Sequence, residues 1–232
     1  MKKQFGCFSA AGLKWLAMGT MLLDHIGAVL VWGPAYIWLR MIGRLAFPIF
    51  CFLLAEGAAH TRSRIKYALR LLLCAVVTEP FFDFALFGSW FDLRHQNVLW
   101  TLLFGLLAVC LGDLRSRRWK SPLLSLGGQL VSLAVRLLAL LAFARLAEGL
   151  GTDYGWYGVA MIAAFYHLRR FPWLALPAVG ALTLPQGGLQ VYAVAALLPI
   201  GLYNGEKGRG SRWFYLFYPA HLAVLGALAA FL

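Results

Sequence analysis

Along this chain the polar positions fall in short clusters. Between them run nine apolar segments, at about 13–32, 36–59, 66–87, 97–111, 122–146, 154–168, 171–184, 189–203 and 213–231. The runs are continuous and rich in Leu and Ala, without the alternation of a strand, so they predict helices. About 20 apolar residues rising 1.5 Å each cross the ~30 Å hydrocarbon core of a bilayer. The segments at 97–111, 154–168, 171–184 and 189–203 are short for a full crossing, which leaves them tilted, re-entrant or longer than drawn. The expected fold class is all-α: one polytopic helical-bundle domain over residues 1–232 with about nine transmembrane helices.

The clusters between the runs give this picture an orientation. If the N-terminus is cytoplasmic, the inner side receives Lys2 and Lys3 and then the loops at 62–66, 115–120, 169–170 and 207–212. Together these hold 14 of the 21 Lys and Arg residues, whereas Arg94 is the one basic residue well inside an outer loop. Such a bias predicts N-in, C-out.

Composition agrees with a membrane protein: 62% of residues are hydrophobic and 13% charged, where soluble domains are about a quarter charged. The net charge of +12 sits in short inter-helix clusters, which excludes nucleic acid as the expected partner. Cys7, Cys51, Cys74 and Cys110 form no CxxC, and three lie in apolar runs, so neither a disulfide framework nor zinc is expected. The first run begins late after Met-Lys-Lys and carries charge, which predicts a retained helix rather than a cleaved leader.

Asp24 and His25 lie side by side within that first run. A charged side chain at bilayer depth costs roughly 2.5–3.5 kcal/mol on insertion scales, so such residues usually face a cavity and act there. Imidazole titrates near neutrality, which suits His25 as a general base with Asp24 beside it. Adjacent helical residues point about 100° apart, however. Asp24 is therefore equally suited to pair with Arg44, which reaches a similar depth, and such a pair would hold helices together.

Glu79 and Asp83 are four apart on one face of the third run, with Pro80 between them. Pro48 interrupts the second run in its middle, a placement tolerated beside cavities. Glu56 and His60 share a face, but no HExxH or comparable spacing exists, so no metal is expected. Arg62, Arg64, Lys66 and Arg70 form a basic cluster suited to lipid headgroups or to the phosphates of a cytosolic cofactor. The remaining polar points are Asn97 in His95-Gln96-Asn97, Tyr154 in DYGWYG, Asn204 in LYNG and His221 in FYPAHL.

These stretches, LKWLAMGTMLLDHIG, GRLAFPIFCFLLAEGAAHTRSRIKYALRLLLCAVVTEPFFD, QNVLWTLLFGLL, DYGWYGV, LYNG and FYPAHL, resemble in order the TraX family of membrane proteins associated with acetylation of conjugative pilin. The resemblance implies a multi-pass acetyltransferase of the bacterial inner membrane that uses cytosolic acetyl-CoA. Its acceptor would be an amine or hydroxyl on a pilin peptide, an envelope glycan or a lipid. It implies His25 as general base or acyl carrier with Asp24 beside it, and Arg44 at the oxyanion. Arg62, Arg64, Arg70 and Arg117, with Glu56 and His60 nearby, would hold the donor. Glu79, Asp83, Asn97, Tyr154, Asn204 and His221 would face the acceptor. Two other classes fit the same residues: a proton-coupled transporter, against which stands the lack of an internal repeat, and a non-catalytic assembly subunit for another membrane protein.

Overall fold

A computed structural model describes residues 6–116, 125–209 and 213–232, so the expected donor contact Arg117 lies outside the described residues. The described chain is all-helical: α1 (Ala10–Leu30), α2 (Pro34–Gly43), α3 (Ala46–His60), α4 (Arg64–Phe87), α5 (Val98–Ser116), α6 (Ser125–Gly149), α7 (Gly155–Leu168), α8 (Pro172–Thr183), α9 (Leu197–Gly201) and α10 (Trp213–Ala229). Two 3₁₀ segments, Leu184–Gln186 and Gly188–Ala196, lie between α8 and α9.

Local chemistry sets the helix ends. The Ser9 hydroxyl accepts the Gly12 N–H at 3.1 Å to start α1, and Ser63 does the same for Lys66 at 3.3 Å to start α4. Pro34 and Pro172 open α2 and α8, where a missing N–H costs nothing. Gly88, at φ +67°, ends α4 in the left-handed conformation that favours glycine.

Two expectations are corrected here. The single run 36–59 is two helices, because the chain breaks at Arg44 and Leu45. Pro48 therefore falls in the first turn of α3, where it is harmless, and not in mid-helix. The second correction concerns the count of spans. Among the described residues three stretches, not nine, are long and apolar enough to cross a membrane: Ala10–Leu30, Pro34–His60 (α2 and α3 taken together) and Gly127–Gly149.

The physical reason lies in what an apolar run can mean. α7, 14 residues long, is apolar because it is the centre of the bundle, packed against α3, α5, α6 and α8 with Val159, Met161, Ile162, Phe165 and Tyr166 buried. α6 is apolar because it faces outward, with Leu138 66% and Leu141 60% exposed. α4 fails for the opposite reason: its 24 residues carry Arg64, Lys66, Arg70, Glu79 and Asp83. The run 189–203 is mostly 3₁₀, entered through Gly187 and Gly188 at φ +67° and +51°. α10 closes the bundle against α1 and α4.

Candidate functional site

α1 organises the site through two adjacent residues that serve different networks. Asp24, at 8% exposed, turns toward the α2–α3 break. Arg44 Nη2 donates to both of its carboxylate oxygens at 2.6 Å, and Arg40 Nη1 donates to Oδ2 at 2.8 Å. Gly43 makes this approach feasible, since a Cβ there would collide with the Asp24 carboxylate. Arg44 Nη1 also reaches the Tyr154 hydroxyl at 3.5 Å, and the Tyr154 ring stacks on Phe47 at 3.5 Å. The break in the helix thus seats two guanidinium groups on one carboxylate.

His25 turns instead toward α10. Its Nδ1 lies 2.7 Å from His221 Nε2, and His221 Nδ1 lies 2.8 Å from the Phe217 carbonyl oxygen. A carbonyl only accepts, so His221 carries its proton on Nδ1. In the neutral ring Nε2 then accepts, which makes His25 Nδ1 the donor. His25 Nε2 is left with a free lone pair. The network itself selects the tautomer that a general base requires.

His25 lines the middle one of three adjoining cavities. A small chamber of about 30 Å³ is lined by Asp24, His25, Phe47, Asp153, Tyr154 and Tyr218 among others. From the N-terminal end of α1 an apolar slot of about 130 Å³ leads to it, lined along α1 by Lys14, Met18 and Met21, with Cys74 and Tyr215 opposite. Their spacing of four and three, continued to His25, keeps one helical face along the passage. Met21, Phe50, Val98 and Tyr218 line both slot and chamber. From the other end comes a polar vestibule of about 470 Å³, lined by Arg44, Gln96, Glu148, Trp156, Gln186 and Gln190, which shares Asp153 and Tyr154 with the chamber. Asp153 has a free face toward the vestibule, but the protein around it pushes its pKa up to about 6, with Arg44 opposing the rise and the Asp24 charge adding to it.

Other expected site residues are placed elsewhere. Glu79 accepts from the Asn97 backbone N–H at 3.1 Å, from Asn97 Nδ2 at 2.5 Å and from Trp100 Nε1 at 2.6 Å, while Asn97 Oδ1 caps the Leu99 N–H at 3.0 Å. Both residues fasten the start of α5 to α4 and do not line the three cavities. Asp83 accepts the Asp92 N–H at 2.7 Å, holding the loop before α5. In that loop the Arg94 guanidinium and N–H hold the Asp92 carboxyl well below the usual carboxylate range.

Arg64 is committed to Asp113 at 3.0 Å and to the Tyr166 hydroxyl at 2.6 Å, joining α4, α5 and α7. Arg62 is exposed in the turn before α4, and Arg70 stands beside Tyr215 of the slot. His60 bonds the Glu56 carbonyl at 2.9 Å at the exposed end of α3. Asn204 pins the N-terminal segment: its N–H bonds the Phe8 carbonyl at 2.9 Å, and its side chain accepts the Glu206 N–H. The expected grouping therefore reduces to Asp24, His25, Arg44, Tyr154 and His221. The structure adds Arg40, Asp153 and Tyr218. The repeat of Arg40 and Arg44 at helical spacing was the available signal for Arg40.

Comparison with known proteins follows from the same residues. The family model for TraX protein matches residues 9–229. The chain belongs to the TraX family. It is 34% identical, over 97% of both chains, to the probable fimbrial assembly protein FimC, serogroup H1, of Dichelobacter nodosus. It is 28% identical to Protein TraX of Escherichia coli, covering 94% of this chain and 86% of that one, and 27% identical to the strain K12 protein over the same shares. No solved structure matches the chain significantly. Every stretch of the site, from Asp24 to His221, falls within the TraX match.

Proposed function

We propose that this TraX-family chain is a membrane-embedded acetyltransferase of the bacterial inner membrane that serves pilus or fimbrial assembly, with acetyl-CoA as donor and an amine or hydroxyl as acceptor. One observation carries the reading. A buried imidazole with a free Nε2 lines a small chamber that adjoins an apolar slot on one side and a polar vestibule on the other. The N-in orientation expected from the loop charges would put the slot on the cytoplasmic side, with Lys14 and Arg70 near it and Arg62 in the exposed turn. Those three cations suit the donor's phosphates better than Arg64, which is held by Asp113. The slot takes the thioester arm, and the vestibule takes the acceptor.

In the reaction, His25 Nε2 takes a proton from the acceptor N–H or O–H as its lone pair attacks the thioester carbonyl. His221 steadies the resulting imidazolium by accepting the Nδ1 proton bond, and the Phe217 carbonyl holds His221 in place. Asp24 contributes by binding Arg40 and Arg44, which keeps α1 against α2 and α3. The pilus context comes from the relatives' names, and the fimbrial name also favours a second reading as a non-catalytic assembly subunit. Detergent-purified protein with radiolabelled acetyl-CoA separates the two. Saturable binding and label transfer, lost in His25→Ala with unchanged thermal unfolding, is expected. A stable protein that neither binds nor transfers label favours the assembly role.

A further inference from the structure

Acyl transfer needs a donor for the charge that develops on the carbonyl oxygen, and Arg44 is poorly placed for it. Its Nη2 is committed to both oxygens of Asp24, its Nη1 faces Tyr154, and it does not line the chamber. Another donor stands at the junction of slot and chamber. The Tyr218 hydroxyl is buried, with the residue only 6% exposed, and its proton has no acceptor. A buried donor without an acceptor costs about 1–3 kcal/mol, so it calls for an explanation. Tyr218 lies three residues before His221 on α10, with its ring centroid 5.5 Å from that imidazole and 5.9 Å from His25.

The start of α5 lies beside it. Val98 is the first residue of α5, so its N–H has no acceptor within the helix. Its neighbours are provided for: Glu79 takes the Asn97 N–H, and Asn97 takes the Leu99 N–H. Val98 lines both slot and chamber, and its N–H is directed at the Tyr218 oxygen, which leaves the hydroxyl proton as the free donor. The positive end of a 19-residue helix dipole therefore opens on the same point.

We propose that the Tyr218 hydroxyl is the oxyanion-stabilising donor of the transfer reaction, with the Val98 N–H fixing its oxygen. The inference rests on the acyl-transfer reading above. The thioester carbonyl sits in the constriction between slot and chamber. As the acceptor attacks, its proton passes to His25 Nε2 and the carbonyl π pair moves onto oxygen, where the Tyr218 O–H holds it. On collapse the C–S bond breaks, and the leaving sulfur takes the proton back from His25. Glu79 and Asn97 acquire a purpose in this scheme as positioning residues, since they fix the end of α5 that presents Val98.

The test uses the full chain in liposomes, acetyl-CoA as donor and hydroxylamine as a small acceptor, with thiol release as the readout. Tyr218→Phe keeps the ring and removes only the hydroxyl. Its kcat should fall by about 100-fold or more, the range seen for removal of one oxyanion donor, with KM for acetyl-CoA and thermal unfolding unchanged. A more acidic fluorotyrosine at position 218 should keep kcat at or above that of the native chain, an outcome that a packing role would not produce. Native kcat in Tyr218→Phe overturns the oxyanion assignment alone. A native chain that releases no thiol overturns the acyl-transfer reading, and this assignment with it.

Discussion

Asp24 and His25 are chain neighbours, yet the carboxylate belongs to a charged knot and the imidazole to a proton-handling pair. The knot joins α1 to the α2–α3 break through Arg40 and Arg44, while the pair joins α1 to α10 through His221. The roughly 100° turn between adjacent helical residues sends them to different partners. A dyad that reads as one motif is thus two devices, one for holding the bundle and one that the acyl-transfer proposal assigns to chemistry. The division predicts opposite phenotypes for two neighbouring substitutions.

The largest expected effect is on His25. His25→Ala should abolish acetyl transfer and leave thermal unfolding in detergent nearly unchanged; retained turnover would sink the assignment. Asp24→Ala should do the reverse, because it leaves two guanidinium groups without their carboxylate. Breaking one side of a buried ion pair costs about 3–5 kcal/mol, so unfolding should shift strongly while surviving folded protein still transfers. If Asp24→Ala is stable and dead, the division of labour is wrong.

Gly43→Ala probes the same knot more gently. Its Cβ would strike the Asp24 carboxylate, and overpacking of this kind costs about 1–3 kcal/mol, readable in the same unfolding experiment. His221→Gln should retain an acceptor for His25 Nδ1 through its amide oxygen. His221→Leu should not, and its kcat should fall below that of the Gln variant by roughly tenfold, the worth of one buried hydrogen bond.

The smallest effect concerns pH. Asp153 titrates near 6 in the folded chain, above the ordinary carboxylate range, so folding favours its protonated form. Its contribution is neutral below the unfolded pKa and turns against stability as pH rises toward 6. Asp153→Asn should therefore raise the unfolding temperature at pH 7.5 but not at pH 3.5. The gain should stay below about 1 kcal/mol, because water screens its free face. An equal shift at both pH values would remove titration as the cause.

How far the sequence could carry this picture varies by residue. The helical class was readable from run length, and His25 from a charge placed where charge is costly. The number of spans was not, because α7 in the core and α6 at the periphery have the same apolarity and differ only in what surrounds them. The Asp24–Arg44 pair was readable from the matching depth of the two residues, but the α2–α3 break was hidden because Arg44 sits inside an apolar run. His221 stood out as a motif residue, but its partnership spans 196 positions and leaves no local pattern. Asn97 is different. It immediately precedes an apolar run, a helix-capping signature that was available in the sequence. Glu79 completes that cap from another helix, which no spacing rule reveals.

The charged knot also bears on how the protein enters the membrane. Asp24, Arg40 and Arg44 each cost roughly 2.5–3.5 kcal/mol if released into lipid alone, and they lie in successive helices of the nascent chain. Their mutual neutralisation makes early release of α1 unfavourable until α2 has been synthesised. If α1 to α3 enter a bilayer, they should accordingly partition as one cooperative unit, and the residue that ties α1 to the α2–α3 break would also time the departure of the first helix from the insertion machinery.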